Sequence, residues 1–313
     1  MLCAGSPDMD KGFHSKTGIL NTRLRYSSLP MTLNSLNKNS MLCPHCRRLI
    51  SRDEEKCPYC GTKNPASWWK NNSFVGILND PDRLVKLIIG LNIGMYIISI
   101  LLNPRSSGYG FNPFSFLSPS DRSLLLLGST GTYPVYQMHR WWSLISANYL
   151  HGSLLHILFN MLAFWQLGPI AIREYGGYRM VIIYTLGGIL GFAVSVLAGV
   201  HFTIGASAAV CSLIGAMLYF GKSYGGRYGN AVYSQLLGWS ISIFAFGFLV
   251  PGINNWGHGG GMAAGALLGY LLGYQARGRE SGSYKFLAVA CMVITVLVLA
   301  WAVLTSVVYL LLA

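Results

Sequence analysis

Three groups of residues in this 313-residue chain have the types and spacings that could do chemistry. Cys43-Pro-His-Cys46 and Cys57-Pro-Tyr-Cys60 are two C-x2-C knuckles separated by ten residues. Four thiolates at that spacing can close on one tetrahedral ion at about 2.3 Å, so the pattern reads as a zinc ribbon holding a structural Zn2+. His156 and Asn160, four residues apart, share one face of an apolar helix; Ser207 follows Gly205-Ala206, and His258 follows Gly257. A serine hydroxyl becomes a useful nucleophile when a neighbouring imidazole takes its proton. Ser207 is therefore the candidate nucleophile and His258 the candidate base. In the first turn of a helix, Ser207 also has unpaired backbone N–H groups beside it, which favour developing negative charge. His156 and Asn160 add side-chain donors to an oxyanion. The apolar stretches offer no acidic third member. Beyond residue 86 the acids are Asp121, Glu174 and Glu280, all three expected in loops. A serine hydrolase of this composition works as a dyad.

The elements that must hold these residues read as membrane helices. The chain is 52% hydrophobic and 11% charged, against about 25% charged in a soluble domain. That excludes a collagen-like, secreted disulfide-rich or DNA-binding globular protein for its larger part. The net charge of +13 is uneven: residues 1–86 hold 13 basic and 7 acidic side chains, residues 87–313 only 10 and 3. Seven apolar stretches follow the charged segment, at 84–102, 143–168, 177–199, 206–221, 232–250, 256–275 and 285–312, each near the length of about 20 residues that spans a bilayer. Lys and Arg fall in alternate loops: Arg173 and Arg179, Lys222 and Arg227, then Arg277, Arg279 and Lys285. Such loops stay in the cytoplasm, which predicts a multi-pass protein of a plasma (inner) membrane with its N-terminus cytoplasmic and its C-terminus outside. The helices of His156, Ser207 and His258 then all run from outside to inside, and their outer halves can converge.

Glycines supply the geometry for that convergence. Gly257, Gly261, Gly265, Gly269 and Gly273 recur every four residues on the sixth stretch, and Gly187, Gly191, Ser195 and Gly199 form a weaker stripe on the third. Small residues at this interval let neighbouring backbones approach closely. The fourth stretch, ending near Phe220, reads as about 15 residues, or roughly 22 Å of helix against a core of about 30 Å.

Residues 84–275 resemble the rhomboid intramembrane serine proteases. The resemblance rests on Arg140-Trp141-Trp142, on His151, His156 and Asn160, on Gly205-x-Ser207, and on Gly257-His258-Gly-Gly, in that order along the chain. It implies an all-α polytopic membrane protein: a six-helix protease core plus one C-terminal transmembrane helix. It also implies hydrolysis of peptide bonds in or near the transmembrane segments of membrane-protein substrates, with no cofactor for catalysis. Ser207 would be the nucleophile, His258 the general base, and His156, Asn160 and the Ser207 amide the oxyanion hole. Three positions depart from the family pattern: Ala208 stands where Gly is common, Cys211 where an aromatic ring often packs on the histidine, and Arg140 precedes Trp141 instead of following a Trp.

The remainder is organised around that core. Residues 1–40 are expected to be a disordered tail or an over-called start, 41–63 the ribbon, 64–83 a linker, and 276–313 a loop and the seventh helix. The ribbon's thiols, in a reducing cytoplasm, favour metal over disulfides; His45 reads as a bystander, and the ribbon as a platform for a cytoplasmic protein partner. The tail's modest charge disfavours nucleic acid, and the basic residues near the first helix suit anionic lipid. The competing reading is a catalytically inactive rhomboid-like protein that binds or escorts membrane clients, which predicts loss of Ser207 or His258. A transporter or channel would need midplane helix breaks and inverted repeats. A zinc protease would need H-E-x-x-H, and an aspartyl protease a pair of carboxylates within the helices.

Overall fold

The computed structural model describes residues 40–44, 46, 48–67, 80–102, 116–275 and 281–312. The expected tail except Ser40, Cys3, His45, the middle of the linker, and Arg105, Arg277, Arg279 and Glu280 lie outside the described residues. The chain divides into two compact units, Met1–Lys70 and Asn71–Ala313.

In the first unit, β1 (Ser40–Leu42) pairs antiparallel with β2 (Leu49–Ser51), setting Met41 opposite Ile50. Each knuckle is a tight turn: the Cys43 N–H donates to Arg48 O and the Cys57 N–H to Thr62 O, both at 2.9 Å. Gly61, at φ +72°, supplies the left-handed step of the second knuckle. Among the described residues, Ile50 is the one large aliphatic residue buried here, beside Cys43 and Cys57. So small a core cannot hold a fold unaided.

The second unit is helical. Its elements are α1 (Pro81–Leu101), the short α2 (Asp121–Leu126) and α3 (Ser143–Ser146), then α4 (Leu154–Tyr175), α5 (Gly177–Leu197), α6 (Ser207–Tyr224), α7 (Gly226–Leu249), α8 (Asn255–Leu272) and α9 (Gly282–Leu312). Among the described residues, α1, α4, α5, α7 and α9 are long and apolar enough to cross a membrane. The protein is thus a mostly helical membrane protein with a four-cysteine cluster ahead of its helices. The other two long helices, α6 and α8, have 18 residues each, about 27 Å at 1.5 Å per residue. They are the two that carry Ser207 and His258.

Several boundaries differ from the sequence expectations, each for a local reason. The second stretch does not form one helix over 143–168. Residues 143–149 turn through α3 and a 3-10 turn, and α4 starts only at Leu154, where Ser153 Oγ accepts the His156 N–H at 3.2 Å. His151 therefore precedes this helix instead of lying within it. At its other end α4 runs through Pro169 to Tyr175, a break that membrane helices tolerate when neighbours satisfy the freed carbonyl. Glu174 thus lies in the last turn of a helix, not in a loop, and pairs with Arg173 at 2.8 Å. Gly176 alone, at φ +86°, joins α4 to α5, and Gly225, at φ +70°, joins α6 to α7. Two of the three expected basic loops shrink to single glycines. Helix α6 is one turn longer than expected and ends past Lys222.

Helix α5 is the centre of the bundle, with 67% of its most apolar window buried, whereas α7 is peripheral, with 11%. Helix α8 lies across α6 in backbone contact. A Cβ on Gly261 would collide with Ala208 O, one on Gly265 with Ser212 O, and one on Gly215 with Met262 O. Gly191 of α5 closes the third side, where a Cβ would be 2.8 Å from Gly257 O and 3.1 Å from Ala208 Cβ. Three of the five stripe glycines on α8, Gly261, Gly265 and Gly269, approach the α6 backbone; a Cβ on Gly257 would meet the Asn254 and Ser195 side chains, and Gly273, at φ +64°, caps the helix. Hydroxyls inside this packing bond back to their own helices: Ser195 Oγ donates to Gly191 O at 3.1 Å and Ser212 Oγ to Ala209 O at 2.7 Å. Without water in a bilayer core, such internal partners are required.

Candidate active site and metal centre

Ser207 is positioned by the segment leading into α6. Thr203 pairs with Thr130 through both backbone bonds, at 2.7 and 3.1 Å, and the Gly205 N–H donates to Ala147 O at 2.9 Å. Gly205 then turns at φ +124°, a conformation that a residue with a Cβ rarely adopts. The added carbon would also lie 2.7 Å from His156 Nε2 and 3.6 Å from Ser207 Oγ. The hydroxyl and the imidazole therefore flank the same bare backbone position. Ser207 is the first residue of α6, and its cap, Ala206, makes no side-chain hydrogen bond. By contrast, α4 and α8 are side-chain capped, by Ser153 and Asn254. The N–H groups at the start of α6 are left for an outside acceptor.

His156 sits in the first turn of α4 and accepts the Gly152 N–H at Nδ1, 3.3 Å away. With Nδ1 accepting, the ring proton is assigned to Nε2, the nitrogen beside the Gly205 backbone. That tautomer is the one an oxyanion donor needs. Its ring meets that of the fully buried His151 edge to face, centroids 5.1 Å apart. Asn160, one turn on, donates to His156 O at 2.9 Å, which leaves its second amide hydrogen to offer.

His258 occupies the first turn of α8, its N–H on Asn254 O at 3.2 Å. Its side chain is buried, and among the described residues its Nδ1 has no hydrogen-bond partner. Among the described residues no hydrogen bond joins it to Ser207; such bonds often shorten only when substrate is bound. The α6–α8 contact starts one residue past Ser207 and three past His258, so both lie at the same end of the crossing. Glu174, 18 residues beyond His156 on α4, is about 27 Å along that helix from the site. No acid from α4 can complete a triad.

The departures are absorbed locally. The Ala208 methyl packs with Ala147 and Phe192, Cys211 is buried, and Arg140 donates to Leu125 O at 2.8 Å with its guanidinium over Trp142. Sequence reasoning missed Asn254 and Thr203, and read Ser195 only as a small residue of the α5 stripe. Asn254 Oδ1 accepts the Gly257 N–H at 2.9 Å, and an Asn just ahead of an apolar helix is a capping signal that the sequence does carry.

The four ribbon sulfurs lie within 4.8 Å of one another. Cys43 and Cys60 Sγ are 3.7 Å apart and Cys46 and Cys57 Sγ 3.6 Å, far from the disulfide length of about 2.05 Å. A tetrahedral ion with bonds of about 2.3 Å sets its sulfurs about 3.8 Å apart, so the cluster has the size to hold a metal ion. Thr62, through its hydroxyl at 3.1 Å and its backbone, holds the Cys60 thiol down to about 5. Against a backbone hydrogen bond from Arg48, desolvation and the neighbouring thiols push Cys46 up to about 12. Four thiolates this close repel one another, and a divalent cation removes that conflict.

A family model described as "Rhomboid domain" matches residues 138–275. Similar proteins include RHOMBOID-like protein 4 of Arabidopsis thaliana, 32% identical over 60% of this chain and 52% of that protein. Rhomboid protease GluP of Bacillus subtilis (strain 168) is 33% identical over 44% of this chain and 27% of that protein. Rhomboid-like protease 3 of Toxoplasma gondii is 29% identical over 48% and 52%. The chain spans about half the length, or less, of these curated relatives.

Proposed function

From the premise that this chain belongs to the rhomboid family, we propose that it is an intramembrane serine endopeptidase acting through a Ser207–His258 dyad. Its substrates are transmembrane proteins, cut in or near their membrane segments. The observation that carries this reading is the bare Gly205 backbone flanked by Ser207 Oγ and His156 Nε2, where α6 starts without a side-chain cap. His258 takes the Ser207 proton as the hydroxyl attacks the scissile carbonyl, then returns it to the leaving amine. The oxyanion forms against the α6 N–H groups and His156 Nε2, with Asn160 as a further donor. Two relatives named as proteases support hydrolysis over the inactive escort reading, as does the presence of both Ser207 and His258.

The same reading places the protein in a plasma (inner) membrane with a cytoplasmic N-terminus and an external C-terminus. Cys43, Cys46, Cys57 and Cys60 hold a structural Zn2+ whose role is to fold a ribbon that docks a cytoplasmic protein partner. Residues 84–275 form the protease core, 64–83 link it to the ribbon, and 276–313 add a loop and a helix. The test is cleavage of a model transmembrane substrate by reconstituted wild type, Ser207→Ala and His258→Ala. Cleavage by wild type alone is expected; equal cleavage by all three would sink the mechanism, and none by wild type would favour the escort.

A further inference from the structure

We propose that Asn254 is a positioning residue that sets the base against the nucleophile, a role that rests on the dyad reading above. Every hydrogen-bonding group of its side chain is engaged. Oδ1 accepts the Gly257 N–H at 2.9 Å. Nδ2 donates to Ser195 Oγ at 2.8 Å and to Thr203 Oγ1 at 2.9 Å. The Asn254 backbone carbonyl accepts the N–H of His258 itself, at 3.2 Å. One residue thus grips the base's own backbone, caps the base's helix, and ties that end to two other elements.

Those two elements are the ones that matter for the distance between the reacting groups. Thr203 lies four residues ahead of Ser207 and is fixed by two backbone bonds to Thr130. Ser195 belongs to α5 and bonds to Gly191, the glycine against which Gly257 and Ala208 both pack. The carboxamide therefore joins the approach to the nucleophile, the central helix and the start of the base's helix at a single point. Packing along the glycine stripe fixes how closely α8 approaches α6 but supplies no directed bond against a slight slide or rotation of its first turn. Two directed donors remove that freedom. Neighbouring Asn255 cannot substitute: its side chain packs on Gly247 of the peripheral α7.

Capping and tying can be separated. Asn254→Ser keeps a short oxygen for the Gly257 N–H but cannot reach Ser195 and Thr203; Thr203→Val removes one partner from the other side. The full-length protein is reconstituted in liposomes with a transmembrane model substrate, and thermal unfolding is measured alongside. Labelling of Ser207 by a fluorophosphonate reports nucleophile activation without any substrate. The expected result for Asn254→Ser is a fall of about tenfold or more in kcat at unchanged KM, a matching fall in labelling rate, and a wild-type unfolding temperature. Asn254→Ser with Thr203→Val should be no slower than Asn254→Ser alone, because both cut the same tie. Asn254→Asp, which keeps the cap and can accept from the Thr203 hydroxyl, should recover part of the loss.

Turnover within twofold of wild type in Asn254→Ser, with Ser207→Ala inactive, overturns the positioning role and leaves the dyad standing. So does a loss of rate that tracks the fraction unfolded, or effects of Asn254→Ser and Thr203→Val that simply multiply. Cleavage by Ser207→Ala at the wild-type rate removes the dyad and this role together.

Discussion

Adding one methyl group at Gly191 should cost activity out of proportion to stability. Gly191 is on α5, where both partner helices of the site touch it. A Cβ there would be 2.8 Å from Gly257 O, 3.0 Å from Gly261 N and 3.1 Å from Ala208 Cβ. Ordinary contact begins near 3.4 Å, so the Gly257 carbonyl, beside His258, has to retreat by about 0.6 Å. The atoms in the way are backbone and a short methyl, so no flexible side chain can relieve the clash. Overpacking of this kind costs about 1–3 kcal/mol, offset by about 1 kcal/mol of helix propensity gained from Gly to Ala. Net stability should therefore fall by about 2 kcal/mol at most. Catalysis is more sensitive: a misplacement of about 1 Å can cost about 100-fold, and a shift of just over half that should cost about tenfold. Gly265→Ala, whose Cβ would land on Ser212 O, should be worse. Gly238→Ala, with nothing within 4 Å, should keep full turnover and gain stability. The assay is kcat for a transmembrane substrate in liposomes, beside the unfolding temperature of each variant. Gly191→Ala turning over within threefold of wild type would refute the claim that this packing sets the dyad.

Four further outcomes follow, two from the helical site and two from the ribbon. His156→Ala removes the Nε2 donor and should lower kcat about 100- to 1000-fold with little change in KM, measured by steady-state cleavage. Gly205→Ala forces a Cβ into the left-handed region, 2.7 Å from His156 Nε2, and should abolish cleavage and slow fluorophosphonate labelling of Ser207. In the ribbon, chelation or loss of Cys43 and Cys46 should release stoichiometric zinc, read by atomic absorption, while cleavage by the helical unit persists. Its pH dependence has a definite sign. A thiol held below its ordinary 9.0 adds stability above that value and loses it as pH falls through about 5. Acid should therefore release the metal, and Thr62→Val, which removes the hydroxyl holding Cys60 down, should move release to higher pH.

What was legible beforehand divides along a physical line. Local signals placed Ser207 in the first turn of α6 and His258 in that of α8, because a small residue before a helix and an apolar run after it are read from a few adjacent residues. The four-residue glycine interval likewise announced a close helix contact, and the structure puts Ala208, Ser212 and Ala216 against it. Boundaries were read less well where a residue has two meanings. Pro169 and Arg173 looked like a loop, yet α4 continues through both, and His151 looked helical although Ser153 starts the helix two residues later. A proline breaks a helix in water more readily than in a packed membrane bundle, and nothing in the flanking residues tells which environment applies.

The hydrogen bonds of Asn254 were illegible for a different reason. That it could cap α8 is local information; that its amide would find Ser195 and Thr203 depends on residues 59 and 51 positions away. The backbone path at Gly205 is also a joint property, since its φ of +124° matters only because His156 stands across from it. Residue types thus name which atoms can react, and spacing names which helix ends they occupy. The distance between them is set by contacts that are long-range in sequence. Where the described helices carry no buried carboxylate near the site, a histidine there cannot be oriented through an acid, and neutral groups are left to do it: the Asn254 carboxamide and its O on the His258 N–H, and glycines that let α5, α6 and α8 meet without side chains between them. The low charge of the helices and their glycine content are therefore two sides of one constraint on how a dyad can be held in a membrane.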